Sequence, residues 1–181
     1  MDAGSGLSVD SSSSLSNTAD NGIVVQAIGD GVTIDNQGSI AATGANGAAI
    51  AFTGGTNTLI NSGSLSATGS SITGGTGSDI IDNSGTITGD AQLGAGDDQV
   101  TLTASAVFNG TIDFGDGDDT LIIDVADGDT KNIDRIAFDP FNNLETFEKF
   151  GAGSVFIDAG VTATATDSFI RAGLFQVDGV Y

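Results

Sequence analysis

Aliphatic residues recur along this chain at fixed offsets from a repeated polar phrase. The phrase reads Asn36-Gln37-Gly38-Ser39-Ile40, then Asn61-Ser62-Gly63-Ser64-Leu65, then Asn83-Ser84-Gly85-Thr86-Ile87, with a contracted copy at Asn109-Gly110-Thr111-Ile112. Its glycine advances by 25, 22 and 25 residues. Two positions before each Asn stand Ile34, Leu59, Ile81 and Val107, and two after each Gly stand Ile40, Leu65, Ile87 and Ile112. Side chains alternate along a strand, so these aliphatics face one way while Thr33, Thr58, Ser39, Ser64 and Thr86 face the other. A second phrase, Asn21-Gly22-Ile23-Val24-Val25, returns as Asn46-Gly47-Ala48-Ala49-Ile50. Each period therefore holds at least two strand–turn units, read here as three short strands. Stacked at the ~4.8 Å strand spacing, the copies line their aliphatics into interior stripes. This is the plan of a parallel β-helix, an all-β solenoid of six or seven coils, each stable only on its neighbours.

The spacing also sets expectations for the polar positions. The column Asn36, Asn61, Asn83 and Asn109 is expected to be a structural ladder, because stacked amides bond along a column and Asn tolerates left-handed backbone. The repeated glycines are expected to supply positive φ at the turns. Residues 1–20, rich in Ser, Asp and Asn, are expected to be a frayed end or an incomplete coil. Regular coils are expected over 21–133. Residues 134–181 form a terminal section in which Phe138, Phe141, Phe147 and Phe150 promise tighter packing and cover for the open end, with apolar runs at Ser154–Ile157, Val161–Thr164 and Leu174–Val177.

Charge narrows the partners. The net charge is −20, and the four bases Lys131, Arg135, Lys149 and Arg171 all follow residue 130. A nucleic acid or an acidic lipid surface would be repelled, so neither is expected as a partner. Glycine, though 28 strong, does not recur at every third residue, which excludes collagen. No apolar run approaches the ~18 residues of a membrane helix, so direct membrane insertion is not expected. Met1-Asp2-Ala3-Gly4 is neither basic nor apolar, so an exported chain of this kind is expected to be a piece of a longer precursor. Cysteine is absent, which removes disulfides, zinc thiolates and thiol catalysis.

Between residues 90 and 129 the texture changes, with ten Asp. Leu93-Gly94-Ala95-Gly96-Asp97-Asp98-Gln99-Val100 and Phe114-Gly115-Asp116-Gly117-Asp118-Asp119-Thr120-Leu121 lie 21 residues apart, about one coil. Both fit the first half of the calcium nonapeptide of RTX β-rolls, where spaced glycines let carbonyls and Asp oxygens converge on an ion that takes six to eight of them. Asp98 and Asp119 occupy the motif position, with Asp97, Asp116 and Asp118 beside them, and these five are the candidate Ca²⁺ ligands. The competing reading is a pair of solvated acidic turns, because RTX arrays repeat every nine residues. Histidine is absent, which excludes Ser-His-Asp catalysis. A β-helix glycan hydrolase would need paired carboxylates of raised pKa, and acids on wet glycine turns are poor material for that. No catalytic and no cofactor-binding residue is expected.

Leu144-Glu145-Thr146-Phe147, Lys149-Phe150-Gly151-Ala152-Gly153-Ser154-Val155-Phe156-Ile157 and Ala172-Gly173-Leu174-Phe175-Gln176-Val177-Asp178-Gly179 resemble the passenger-associated transport repeat of bacterial autotransporters. The Asn-x-Gly-Ser/Thr-Ile coils and the Gly-x-Gly-Asp-Asp phrases are similar to passengers of the same family, so the resemblance spans residues 21–179. It implies a right-handed parallel β-helix with a C-terminal capping, autochaperone-like section, exported by type V secretion. It implies display at the bacterial cell surface, anchored at the outer membrane or released. The implied function is a non-enzymatic, adhesive passenger stalk whose partners are a host-cell or surface receptor or glycan, with the translocator barrel outside this chain. The alternatives are the secreted RTX-like calcium module and, third, the glycan hydrolase.

Overall fold

The computed structural model describes residues 4–133, 142–157 and 165–177. Every strand pairing in it is parallel, and the described residues contain no helix. The first coil consists of β1 (Gly6–Val9), β2 (Ser14–Asn17) and β3 (Ile23–Ala27), and the second of β4 (Thr33–Asn36), β5 (Ser39–Ala42) and β6 (Ala48–Phe52). The third and fourth fuse the later strands, giving β7 (Thr58–Asn61) with β8 (Ser64–Thr73) and β9 (Ile80–Asn83) with β10 (Thr86–Gln92). Next come β11 (Gln99–Thr103), β12 (Val107–Asn109) and β13 (Ile112–Asp113), then β14 (Thr120–Asp124) with β15 (Thr130–Ile133). The last coils are β16 (Leu144–Phe150) with β17 (Ser154–Ile157) and β18 (Ala165–Ile170) with β19 (Leu174–Val177).

One face stacks β1-β4-β7-β9-β11-β14-β16-β18, and its in-register partners measure the coil. Gly6, Thr33, Thr58, Ile80, Gln99, Thr120, Thr146 and Asp167 stand above one another, so successive coils take 27, 25, 22, 19, 21, 26 and 21 residues. The expected parallel β-solenoid of about seven turns is the observed fold. Gly6–Val9 and Ser14–Asn17, within the stretch expected to fray or stay incomplete, are strands paired to the second coil.

The core is a set of straight aliphatic columns. Ile34, Leu59, Ile81, Val100, Leu121 and Phe147 form one, Ile40, Leu65, Ile87 and Phe108 a second, and Ile50, Ile72, Ala91 and Ile112 a third, all buried. Their burial against like neighbours is the main favourable contribution to the stack, about 25 cal/mol per Å² of apolar surface removed from water. The fourth copy of the phrase is a correction. Val107 pairs with Thr86 and is exposed, Asn109 pairs with Thr88, and Ile112 pairs with Ala91. The true continuations are Val100 and Phe108, because the intervening coil shortens to 19 residues and moves the register.

Two further expectations change. Asn36, Asn61 and Asn83 do form a buried ladder, with Nδ2 of each donating to Oδ1 of the next at 2.7 and 2.8 Å. They sit at strand ends, however. The left-handed asparagines are Asn21, Asn46 and Asn143, at φ of 56°, 54° and 55°. Nor do Gly38, Gly63 and Gly85 have positive φ. They are glycine because a Cβ would overlap backbone carbonyl oxygens of the coil before.

In the described part of the terminal section β16 and β18 continue the first face, while β17 and β19 stack on β15 in a three-stranded sheet of their own. Phe147 meets Phe175 at 5.5 Å between ring centroids, but Phe150, Phe169, Ile170 and Leu174 are exposed. Among the described residues β18 and β19 have a strand neighbour on one side only, which leaves Phe169, Ile170 and Leu174 open. Phe138, Phe141, Arg135, the run Val161–Thr164 and the pair Asp178-Gly179 lie outside the described residues.

Candidate functional site

The most distinctive polar feature is a column of side chains at the entry to the strands of the first face, just before β7, β9, β11 and β14 and at the second residue of β16. It comprises Asn57, Asp79, Asp98, Asp119 and Glu145, the residues preceding Thr58, Ile80, Gln99, Thr120 and Thr146. Each caps a backbone amide of the coil before it. Val32 N–H donates to Asn57 Oδ1 at 3.1 Å and Asn57 N–H to Asp79 Oδ1 at 2.9 Å. Asp79 N–H donates to Asp98 Oδ1 at 2.7 Å and Asp98 N–H to Asp119 Oδ1 at 2.6 Å. Asp119 N–H donates to Glu145 Oε2 at 3.0 Å. These amides enter strands at a turn, where the regular ladder does not reach them, and a buried amide without an acceptor is costly.

Asn57, Asp79 and Asp119 have no exposed surface, and Asp98 has only 1%. One oxygen of each Asp is spent on the cap. The other, Oδ2 of Asp79, Asp98 and Asp119, is buried without a hydrogen-bond partner. Burial pushes the Asp79 carboxyl up to about 6, against the bonds from Asn57 and the Gly75 amide that hold it down. It pushes Asp98 up to about 7, with the charges of Asp119, Asp79 and Asp97 adding to the effect and the Asp79 amide opposing it. Burial likewise raises Asp119 to about 6, with Glu145, Asp97 and Asp118 adding and the Asp98 amide opposing.

The five candidate calcium ligands thus divide. Asp98 and Asp119 are turned away from solvent into this column, where one oxygen of each holds a backbone amide. Asp97, Asp116 and Asp118 are exposed on the turns. Asp97 and Asp118 meet across coils, Asp118 N–H donating to Asp97 Oδ1 at 3.0 Å, while Asp116 bridges to Ala95 through its backbone. Among the described residues no three Asp, Glu, His or Cys side chains come close enough together to hold a metal ion, so the structure identifies no metal ligand on these turns. Gly94 and Gly115 shape them, with φ of 104° and 99° and a Cβ of either overlapping the coil before.

No protein-family model, curated protein or solved structure matches the chain. What can be said of its chemistry comes from its own surface. Of the bases, Lys149 is buried and its ammonium donates to the carbonyls of Phe150, Gly151 and Ala172. Lys131 is buried and donates to the Ala106 carbonyl. Arg171 pairs with Glu148 at 2.6 Å and lies 5.4 Å from the ring centroids of both Phe150 and Phe169. A surface depression of about 460 Å³ is lined by Thr103, Ala104, Ser105, Asp124, Ala126 and Asp129. No helix of the described residues is long and apolar enough to cross a membrane.

Column membership of Asp79 and Glu145 was not read from the sequence. The signal is there: an Asn, Asp or Glu stands two positions before each of Leu59, Ile81, Val100, Leu121 and Phe147.

Proposed function

We propose that this chain is part of a non-enzymatic, surface-displayed passenger stalk of the autotransporter kind, whose C-terminal coils nucleate folding after export. The observation that carries the reading is the parallel stack, whose first face runs through eight strands from β1 to β18. Its interior is filled by aliphatic columns and an amide ladder, so the chain presents long ribbons of outer surface rather than an enclosed reaction chamber. The acidic turns keep such a ribbon soluble and resist lateral association. Its partners are a receptor or glycan met by the outer faces, and its place is the bacterial outer surface.

The nucleating role falls to residues 144–177, where the Phe147–Phe175 contact and the three carbonyl bonds of Lys149 tie the last coils together. The test places the chain between an export signal and an outer-membrane barrel and assays protease-resistant display on whole cells. Full-length chain is expected to appear folded at the surface, and a version lacking 144–181 to be exported but digested. Equal protease resistance of the two, with equal refolding rates in vitro, rejects the nucleating role. Failure of the full chain to display rejects the passenger reading.

A further inference from the structure

A buried column of like charges needs an account that surface display does not supply. Asp79, Asp98 and Asp119 lie on successive coils, hence about 4.8 Å apart along the stack. Each already spends Oδ1 on an amide, and each hides Oδ2 from water with no donor to meet it. Ionised, the three would hold like charges against one another without a cation. Among the described residues the charged groups that face them are Asp97, Asp118 and Glu145, all acids, while the polar neighbour above is Asn57. The described bases are engaged elsewhere: Lys131 on Ala106, Lys149 on the terminal turns and Arg171 on Glu148. A proton on Oδ2 removes the repulsion and turns an orphan acceptor into a group that needs less solvation.

We propose that Asp79, Asp98 and Asp119 form a proton-holding seam: protonated, the column closes the middle coils, and loss of its protons loosens the turns at 74–79, 94–98 and 115–119. The column itself offers a natural control. Asn57 occupies the same position with a neutral amide and makes the same cap, so the neutral form fits this geometry.

The direction of the pH effect follows from where the proton binds better. The folded chain holds these protons up to pH 6–7, whereas the unfolded carboxyls release them near 3.8. The contribution is fully present below about pH 3.8 and is lost as pH rises through 6 to 7. Each group lowers the folding constant by at most about tenfold per pH unit in that window. The solenoid is narrow, so nearby water softens the effect below that limit. Histidine is absent, so no ordinary side chain titrates there to mask it.

The test is thermal unfolding of the full chain, in chelator, at pH 5, 6, 7 and 8. The wild type is expected to melt at lower temperature as pH rises from 5 to 7, with the fall levelling off between 7 and 8. The variant D79N/D98N/D119N is expected to lose most of that slope. A wild-type melting temperature that is flat or rising over this range overturns the proposal, as does an unchanged slope in the variant. Should the triple variant fail to fold, Asp98→Asn alone is expected to reduce the slope. Infrared spectroscopy of the wild type then reads the seam directly: a protonated-carboxyl band must be present at pH 5 and fade by pH 8, and its absence at pH 5 overturns the proposal.

Discussion

Glycine at 38, 63 and 85 is set by the neighbouring coil, not by the residue's own backbone. Their φ values are ordinary, yet a Cβ on Gly63 would overlap the Gly38 carbonyl oxygen, and one on Gly85 the Gly63 carbonyl oxygen. The chain must pass one strand spacing above itself at a bend, and only a bare Cα fits. Gly6 is a useful contrast, because a Cβ there would sit 3.6 Å from the Thr33 carbonyl oxygen in ordinary contact. Gly63→Ala is therefore expected to cost about 1–3 kcal/mol, as overpacking of a rigid interior does. Gly6→Ala is expected to be neutral or to stabilise by up to about 1 kcal/mol, through the entropy removed from the unfolded chain. Urea unfolding of the two variants checks both signs.

At the scale of the element, the Asn ladder and the aliphatic columns are alternative ways of filling one interior position. Register pairing carries the column Asn36–Asn61–Asn83 on to Leu102, Ile123 and then Lys149. Three amides bond one another along the stack, and the next two coils fill the same place with hydrocarbon. Asn61 is the middle rung, accepting from Asn36 and donating to Asn83. Asn61→Ala is expected to cost about 1–3 kcal/mol, because it removes two buried amide–amide bonds and leaves Asn36 Nδ2 only the Ser64 carbonyl and Asn83 Oδ1 only the Gly85 amide. Replacing all three by Leu is expected to cost less than the sum of three single changes, since no ladder amide is then left without its neighbour, although the carbonyls of Ser64, Thr86 and Val107 lose a side-chain donor. Denaturant melts of the singles and the triple give the comparison.

The same column shows how much of the fold could be read from the sequence. The first three copies of the phrase have nearly equal length, so period and register coincide and Ile34, Leu59 and Ile81 are correctly aligned. The coil from Ile80 to Gln99 is the shortest, and there the phrase and the register part company. Asn109-Gly110-Thr111-Ile112 repeats the words in the wrong place, on the face that carries Thr88 and Ala91. The capping column is easily passed over in the sequence for a related reason. It mixes Asn, Asp and Glu, so it shows no single repeated letter, and Asp98 and Asp119 stand beside the exposed Asp97 and Asp118. Each pair sits on the turn just before a strand, where one Asp is turned inward as a buried cap and its neighbour stays on the solvated side.

For the whole molecule the dominant quantity is the net charge of −20 on a thin rod. A solenoid cannot separate its charges, because every coil places its turns within one strand spacing of the last. The one ion pair among the described residues, Arg171 with Glu148, is largely exposed on the arginine side and contributes little. Repulsion along the rod should then act against folding over the whole distance that salt leaves unscreened. That distance falls from about 30 Å at 0.01 M to about 8 Å at 0.15 M ionic strength. Raising sodium chloride over this range is expected to raise the melting temperature, by roughly 2–4 °C for each kcal/mol recovered. Calcium provides the sharper form of the same experiment. Screening depends on ionic strength and valence, so calcium and magnesium chloride at equal concentration should produce the same shift. A site on the turns that bear Asp97 and Asp118 would favour calcium, which accepts more oxygens in looser geometry. Superimposed calcium and magnesium curves are expected. A calcium-specific excess that disappears in Asp97→Asn would show that the turns gather an ion after all, and that their acidity serves binding as well as solubility.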